Sequence, residues 1–412
     1  MNSKHFWSPC RALAFVSVIL LAVVCLIVPC DIGVRTVNAQ SSVGGPLPGL
    51  SSLESTLFTA GHHIFVKLWD SDHGLGPVFT EHGCASCHSG AAPGGSSPVS
   101  VTLFGKLNSD GSFNPLTNEG GMLLQPFSIT KFQPTCQLAG ERVPSDATIV
   151  AKHVTPAAFG SGLINSIPDD SISANAVDKG MGIHGMTNMV LDENGMLHVG
   201  HFGRKAQFAD LLQTTSEAMT HDIGITTPLL PNEDLPQGQP IPSGCMAPEP
   251  NDFDGTQVIA AFHFVEYLAP VTPGVPNPNG QALFTSVGCV LCHQTSYSTP
   301  DKVVVPLDLK GHTITSKPLS LQTVNLYSDL LLHDMGPGLA DNISIGQATG
   351  SQWRTTPLWG LSRRTLYLHD GRTSDLTTAI TDHGGEATTV IQNFKALSPD
   401  DKTDLLSFLN SL

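Results

Sequence analysis

The chain has 412 residues and a formal net charge of −15 at neutral pH; 40% of its residues are hydrophobic and only 13% are charged. That length leaves room for two domains with sizeable cores, and the acidity argues against nucleic acid as a partner while leaving a basic or neutral protein partner open. With 40 glycines and 30 prolines, long ordered loops are expected rather than helix throughout.

At the N-terminus, Lys4 and Arg11 precede an apolar stretch over 12–28, and Val37-Asn38-Ala39 forms a small-residue cleavage site. Residues 1–39 therefore read as a signal peptide, with a mature chain starting at Gln40 and exported, as to a periplasm. The alternative is an uncleaved anchor, since the stretch is at the short end of what spans a bilayer. Residues 40–50 are a Ser/Gly/Pro-rich linker. Leu57, Ala60, Ile64 and Leu68 then recur at helical spacing, predicting a helix over 53–68 capped by Ser51 or Ser52.

Next comes Phe79-Thr80-Glu81-His82-Gly83-Cys84-Ala85-Ser86-Cys87-His88, and its pattern returns as Phe284-Thr285-Ser286-Val287-Gly288-Cys289-Val290-Leu291-Cys292-His293. Cys-x-x-Cys-His is the attachment signature of c-type haem. Two thiols on one helical face form thioethers to the vinyl groups, and the following histidine binds iron from the same side. Gly83 and Gly288 are expected to let the backbone approach the ring edge. A zinc ribbon needs its Cys pairs roughly 15–20 residues apart, and a redox dithiol has no use for the histidine. Two covalently bound c-type haems are the expectation, on Cys84, Cys87 and His88 and on Cys289, Cys292 and His293.

Between the motifs, residues 101–250 are irregular, with short β-like stretches and one better helical segment over 205–219. Residues 254–268 predict an amphipathic helix with Val258, Ala261, Phe262, Val265 and Leu268 on one face. Four prolines over 270–280 mark a domain boundary. Ser398, Pro399 and Asp401 begin a capped terminal helix whose apolar face is Leu405, Leu406, Leu409 and Leu412. Of nine cysteines, Cys10, Cys25 and Cys30 leave with the signal peptide and four hold haem. Cys136 and Cys245 remain, and in an oxidising compartment they are expected to form a disulfide.

Further local stretches match a known group. They are Gly74-Leu75-Gly76-Pro77-Val78-Phe79, Phe202-Gly203-Arg204-Lys205-Ala206, Asp222-Ile223-Gly224-Ile225-Thr226, the run 329–336, Trp353-Arg354-Thr355-Thr356-Pro357-Leu358-Trp359-Gly360, and Leu368-His369-Asp370-Gly371-Arg372 running on to His383-Gly384-Gly385-Glu386-Ala387. With them the chain resembles the peroxidase-like dihaem oxidoreductases, distant relatives of bacterial dihaem cytochrome c peroxidases. The resemblance implies a mainly α fold of two cytochrome-c-like domains, 51–270 and 271–412, each holding one haem. The first carries a long loop-rich elaboration with short strands. It also implies that the C-terminal haem receives electrons and the N-terminal haem reduces hydrogen peroxide.

In that family an axial methionine follows the Tyr/Phe-His-Asp-Gly motif, and the same step from His369 lands on His383. Haem 2 is then bis-histidine through His293 and His383, with Met335 the rival ligand and a lower potential expected for want of the thioether. Arg354 and Arg372 are candidates to pair with haem propionates. Trp353 and Trp359 are candidates to lie between the haems, with core packing as the plainer role, and His369 orients its loop. For haem 1 the family's distal histidine position is Phe104, and His153, His184, His198, His201 and His221 offer no assignable replacement, so an open or weakly ligated haem is expected. Asp222 and Glu217 are the nearest acid/base candidates. Leu366 stands where the family has proline, and a calcium site between the haems has no support. The leading expectation is an exported peroxidase-like oxidoreductase served by a redox partner protein or small electron donor. The alternatives are a non-enzymatic electron carrier and a long-range oxidant of a protein partner.

Overall fold

The computed structural model describes residues 42–246 and 252–412, together with the backbone of Arg35 and Thr36. The expected signal peptide, apart from the backbone of Arg35 and Thr36, lies outside the described residues with Cys10, Cys25 and Cys30, as does the start of the linker. Among the described residues no helix is long and apolar enough to cross a membrane.

The first helix, α1 (Ser52–Phe65), starts at Ser51 in a reciprocal capping box: the Glu54 amide donates to Ser51 Oγ at 3.3 Å and the Ser51 amide to Glu54 Oε2 at 2.7 Å. Glu54 is buried because its other oxygen accepts from Ser316 Oγ at 2.7 Å. One helical turn, α2 (Cys84–Cys87), carries the first Cys pair. The long strand β1 (Ser97–Leu107) pairs antiparallel with β2 (Ile149–Thr155), bulging between Ser97 and Ser100. Further on, α3 (Leu211–Glu217) runs into a π turn over Ala218–Asp222.

Helix α4 (Thr256–Glu266) is capped by the Asp252 carboxylate, which accepts from the Gln257 and Val258 amides. It packs on α1 through Phe264, which meets both Phe58 and Phe65. Helix α5 (Pro278–Val287) leads to the second Cys pair. Two hairpins follow, β3 (Val303–Pro306) with β4 (Thr313–Ser316), and β5 (Leu332–Asp334) with β6 (Gln352–Arg354). The chain ends with α6 (Leu376–Thr381), α7 (Thr388–Ala396) and α8 (Pro399–Ser411); the Asp401 amide bonds Ser398 Oγ, as the capping pattern predicts.

The expectation of a mainly α fold is wrong. Of the described residues, 30% are helical and 16% are in strands, with several small sheets. Short β-branched runs decide this: Val303-Val304-Val305 and Thr313-Ile314-Thr315 alternate inward and outward as a half-buried hairpin. Glycine and proline keep most helices short.

Two apolar clusters lie beneath the motifs. The larger joins α1 and α4 with Phe159, Leu163 and Ile167 and with Tyr297, Leu326, Leu330 and Leu331. The smaller packs α5, α7 and α8 around Phe284, Val390, Phe394, Leu405 and Phe408, with Cys289 and Cys292 on its edge; Ile183, from far upstream, joins it.

Candidate functional site

Both Cys-x-x-Cys-His segments close one tight turn. The His88 amide bonds the Cys84 carbonyl at 2.8 Å and the His293 amide bonds the Cys289 carbonyl at 2.9 Å. The second turn is a 3₁₀ turn rather than α. The flanking repeat is not structural. Phe79 lies in a two-residue strand paired with Phe127–Ser128, whereas Phe284 is inside α5. Phe284 sits 6.4 Å from the His293 ring; at the first motif that place is taken by Phe65 of α1, 6.2 Å from His88.

The two glycines also have reasons other than ring approach. A Cβ at Gly83 would lie 2.5 Å from the Lys67 carbonyl oxygen. Gly288 has φ +107° at the C-terminus of α5, where a side chain would be strained.

All four motif cysteines are half-buried, and none is in a disulfide. Burial pushes Cys84, Cys87 and Cys289 up to about 12, with the Asp222 charge adding at Cys84 and Cys87. Such thiols stay neutral, which does not suit a reactive redox dithiol. Burial likewise lowers His88 and His293 to about 4, so both imidazoles are neutral. His293 Nδ1 bonds the Tyr327 carbonyl at 2.9 Å, fixing the tautomer that leaves Nε2 as a donor to metal. His88 lies beside the Pro156 carbonyl, and its Nδ1 is buried without a well-formed hydrogen bond. This donor set fits haem iron.

His383 follows the same rule: its Nδ1 bonds the Ala379 carbonyl at 2.7 Å, and burial lowers its pKa. It is close enough to His293 that a charge on it bears on that ring. No histidine among the described residues exerts such an effect on His88. Met335 packs its backbone against Gly384, beside His383.

Asp222, at the end of the π turn, lies close to the first Cys pair, and Glu81 also bears on Cys87. Its backbone carbonyl accepts from the Thr80 and Glu81 amides, and its charge bears on Cys84 and Cys87. Burial raises it to about 6, the His221 charge opposing and the Asp234 charge adding. Glu217 is engaged elsewhere, 3.3 Å from His221 Nε2, whose Nδ1 meets Asp234 at 2.8 Å. Burial disfavours a charged His221, but these two carboxylates hold it at about 10.

Of the two arginines singled out in the sequence, Arg372 is paired with Asp370 at 2.7 Å. Arg354 donates through Nε to the Gly203 carbonyl at 2.8 Å and has a buried Nη1 with no partner. Cys136 and Cys245 form a disulfide. Phe104 is fully buried in β1. Trp353 is stacked by His369 at 3.8 Å, flanked edge-on by His153 and covered by the Lys205 ammonium at 3.8 Å; Trp359 packs on Gly160.

Two features escape sequence reasoning. Arg204 and Arg364 join Arg354: the Arg364 charge bears on both of the others and the Arg354 charge on Arg204, opposed there by Asp370; the Phe202–Ala206 stretch was the only signal. His333 is buried between Asp329 (3.0 Å) and Glu386 (2.8 Å), with Cys292 Sγ at 3.6 Å from Nδ1. Burial opposes its protonation, yet these partners hold it at about 11. Among the described residues no group of three or more His, Cys, Asp or Glu is arranged to hold a metal ion directly.

No curated protein matches the chain. Among solved structures it is similar to hydrazine synthase of Kuenenia stuttgartiensis pressurised with xenon, at 13% identity over 91% of this chain and 97% of that one, with a TM-score of 0.38. Residues 268–412 match the family described as "Di-haem oxidoreductase, putative peroxidase", and this C-terminal part, second motif and His383 included, carries the sequence pattern of that family.

Proposed function

We propose that the chain is an exported dihaem c-type oxidoreductase of peroxidase type, with two haem modules of unequal coordination. The observation that carries this is the asymmetry of the two histidines. His293 has a second, tautomer-locked imidazole close by in His383; no histidine among the described residues acts on His88 in this way, and beside Cys84 and Cys87 stands a half-buried carboxyl, Asp222. Cys84, Cys87, Cys289 and Cys292 would hold the haems covalently, with His88 and His293 as proximal ligands and His383 as the sixth ligand of haem 2.

Bound haem iron supplies one-electron chemistry. Reducing one hydrogen peroxide to two waters consumes two electrons and two protons. Electrons enter from a redox partner protein or small donor at the second module. At the first, Asp222 would act as general base and then general acid toward a bound peroxide, taking one proton and returning it, a role suited to a carboxyl near 6. His221, held charged by Glu217 and Asp234, keeps that carboxyl from rising further.

The test is spectroscopic. Denatured protein should retain two covalent haems per chain. The resting ferric protein should show one high-spin and one low-spin haem. Two low-spin haems that stay six-coordinate on half-reduction would mean an electron carrier rather than a peroxidase.

A further inference from the structure

Three arginines converge where the two halves of the site meet. Arg204 donates to the Val154 carbonyl in β2. Next come Thr155, the last residue of that strand, whose hydroxyl interacts with Cys87, and Pro156, beside His88. Arg364 donates to the Pro357 carbonyl. Its segment, with Leu358, Leu361 and Tyr367, packs in the cluster that borders Cys289 and Cys292. Arg354 ties the two sides together. Its amide bonds the Arg204 carbonyl at 2.9 Å, and β6 places it opposite Leu332, next to the His333 that touches Cys292.

Lys179, Lys205 and Arg372 each have a carboxylate within 3.1 Å. Among the described residues, Arg204, Arg354 and Arg364 have no carboxylate ion pair; their hydrogen bonds go to carbonyls. Burial and mutual repulsion lower all three to about 10, or in the case of Arg364 burial alone, so each remains charged at neutral pH. Each guanidinium has five N–H donors in a fork that matches a carboxylate, and the buried Arg354 Nη1 is unused. Three like charges gathered in one half-buried place, with donors to spare, call for anions.

We infer that Arg204, Arg354 and Arg364 form one anion-binding station shared by the two haems, with propionate carboxylates reaching it from both sides. Arg204 serves haem 1, Arg364 serves haem 2, and Arg354 couples the two. This rests on the dihaem reading above.

The test uses the full-length holoprotein. Haem content per chain is measured first, then both midpoint potentials by spectroelectrochemistry, for wild type, Arg354→Gln, Arg354→Lys, Arg364→Gln and Arg372→Gln. Removing a cation that balances propionate charge favours the ferric form. Arg354→Gln should therefore move both potentials in the negative direction, Arg364→Gln chiefly that of the low-spin haem, and Arg372→Gln neither; Arg354→Lys should recover most of the shift. If two covalent haems are present and Arg354→Gln and Arg364→Gln leave both potentials where they were, the station is wrong and the dihaem reading stands. A loss of thermal stabilisation by inorganic phosphate in those same variants would then assign the cluster to a soluble anion. If the wild type carries fewer than two covalent haems, both readings fall.

Discussion

His293 Nδ1 and the Tyr327 carbonyl oxygen are joined by a 2.9 Å hydrogen bond, and at His383 the Ala379 carbonyl does the same at 2.7 Å. Each bond consumes the Nδ1 proton and leaves Nε2 with a free lone pair. Two neutral imidazoles prepared this way, near enough for their charges to interact, suit two axial positions on one iron. His383→Ala should convert the second haem from low-spin to high-spin while leaving haem attachment at Cys289 and Cys292 intact. An unchanged electronic and EPR spectrum would remove His383 from the ligand set and return Met335 to consideration.

Asp222 offers a test at the other haem. Its carboxyl is raised to about 6 by burial, so as a proton acceptor it must be ionised. Peroxide turnover should rise with pH through about 6 and flatten above. Asp222→Asn should lower kcat by about 10²–10⁴-fold, the usual contribution of an acid/base group, with the ferric spectrum unchanged. Turnover within a factor of two of wild type in that variant, at pH 7, excludes the role.

The Cys-x-x-Cys-His segments were legible because the signature is a fixed set of residue types at fixed local spacing, and the terminal helix because Ser398 and Pro399 act on their own turn. The matching Phe-Thr flank is a repeat of sequence and not of structure: Phe79 and Phe284 occupy a strand and a helix, and α1 supplies the aromatic neighbour of His88. The hairpin of Val303–Pro306 with Thr313–Ser316 was masked by the expectation of a compact helical module, although its β-branched residues favour strand. Arg204, Arg354 and Arg364 come from three separate segments and meet only through tertiary hydrogen bonds, so no local pattern announces them. His333 reads as an ordinary core histidine until Asp329 and Glu386 close on both its nitrogens.

The Cys136–Cys245 disulfide spans 109 residues of sequence, from the segment under the first motif to the stretch before α4. Closing so long a loop removes much entropy from the unfolded chain. Replacing both cysteines by serine should cost about 2–5 kcal/mol, read as a lower denaturant midpoint for the oxidised protein. Neither cysteine should react with an alkylating agent before reduction, even in unfolded protein, since both sulfurs are held in the disulfide. Stoichiometric labelling of native, unreduced protein would show that the bond does not form.

Glu266 gives a prediction about stability rather than catalysis. It is 1% exposed at the end of α4, with Asn165 Nδ2 donating to Oε2 at 3.1 Å. Burial raises its carboxyl to about 8, with the Asp210 charge adding, against about 4.3 in an unfolded chain. A folded-state pKa raised above the unfolded value gives stability that is complete below the unfolded pKa and is lost as pH rises through the folded one. Wild type should therefore lose up to about 1.4 kcal/mol per pH unit from this group between roughly pH 4 and 8, and no more above. Glu266→Gln keeps the shape and an acceptor for Asn165 but does not titrate. Its stability relative to wild type should grow steadily from pH 5 to pH 8 and then level off, measured by urea unfolding at matched ionic strength. A difference that stays constant over that range would mean that the Glu266 carboxyl ionises in the folded protein much as it does in the unfolded chain.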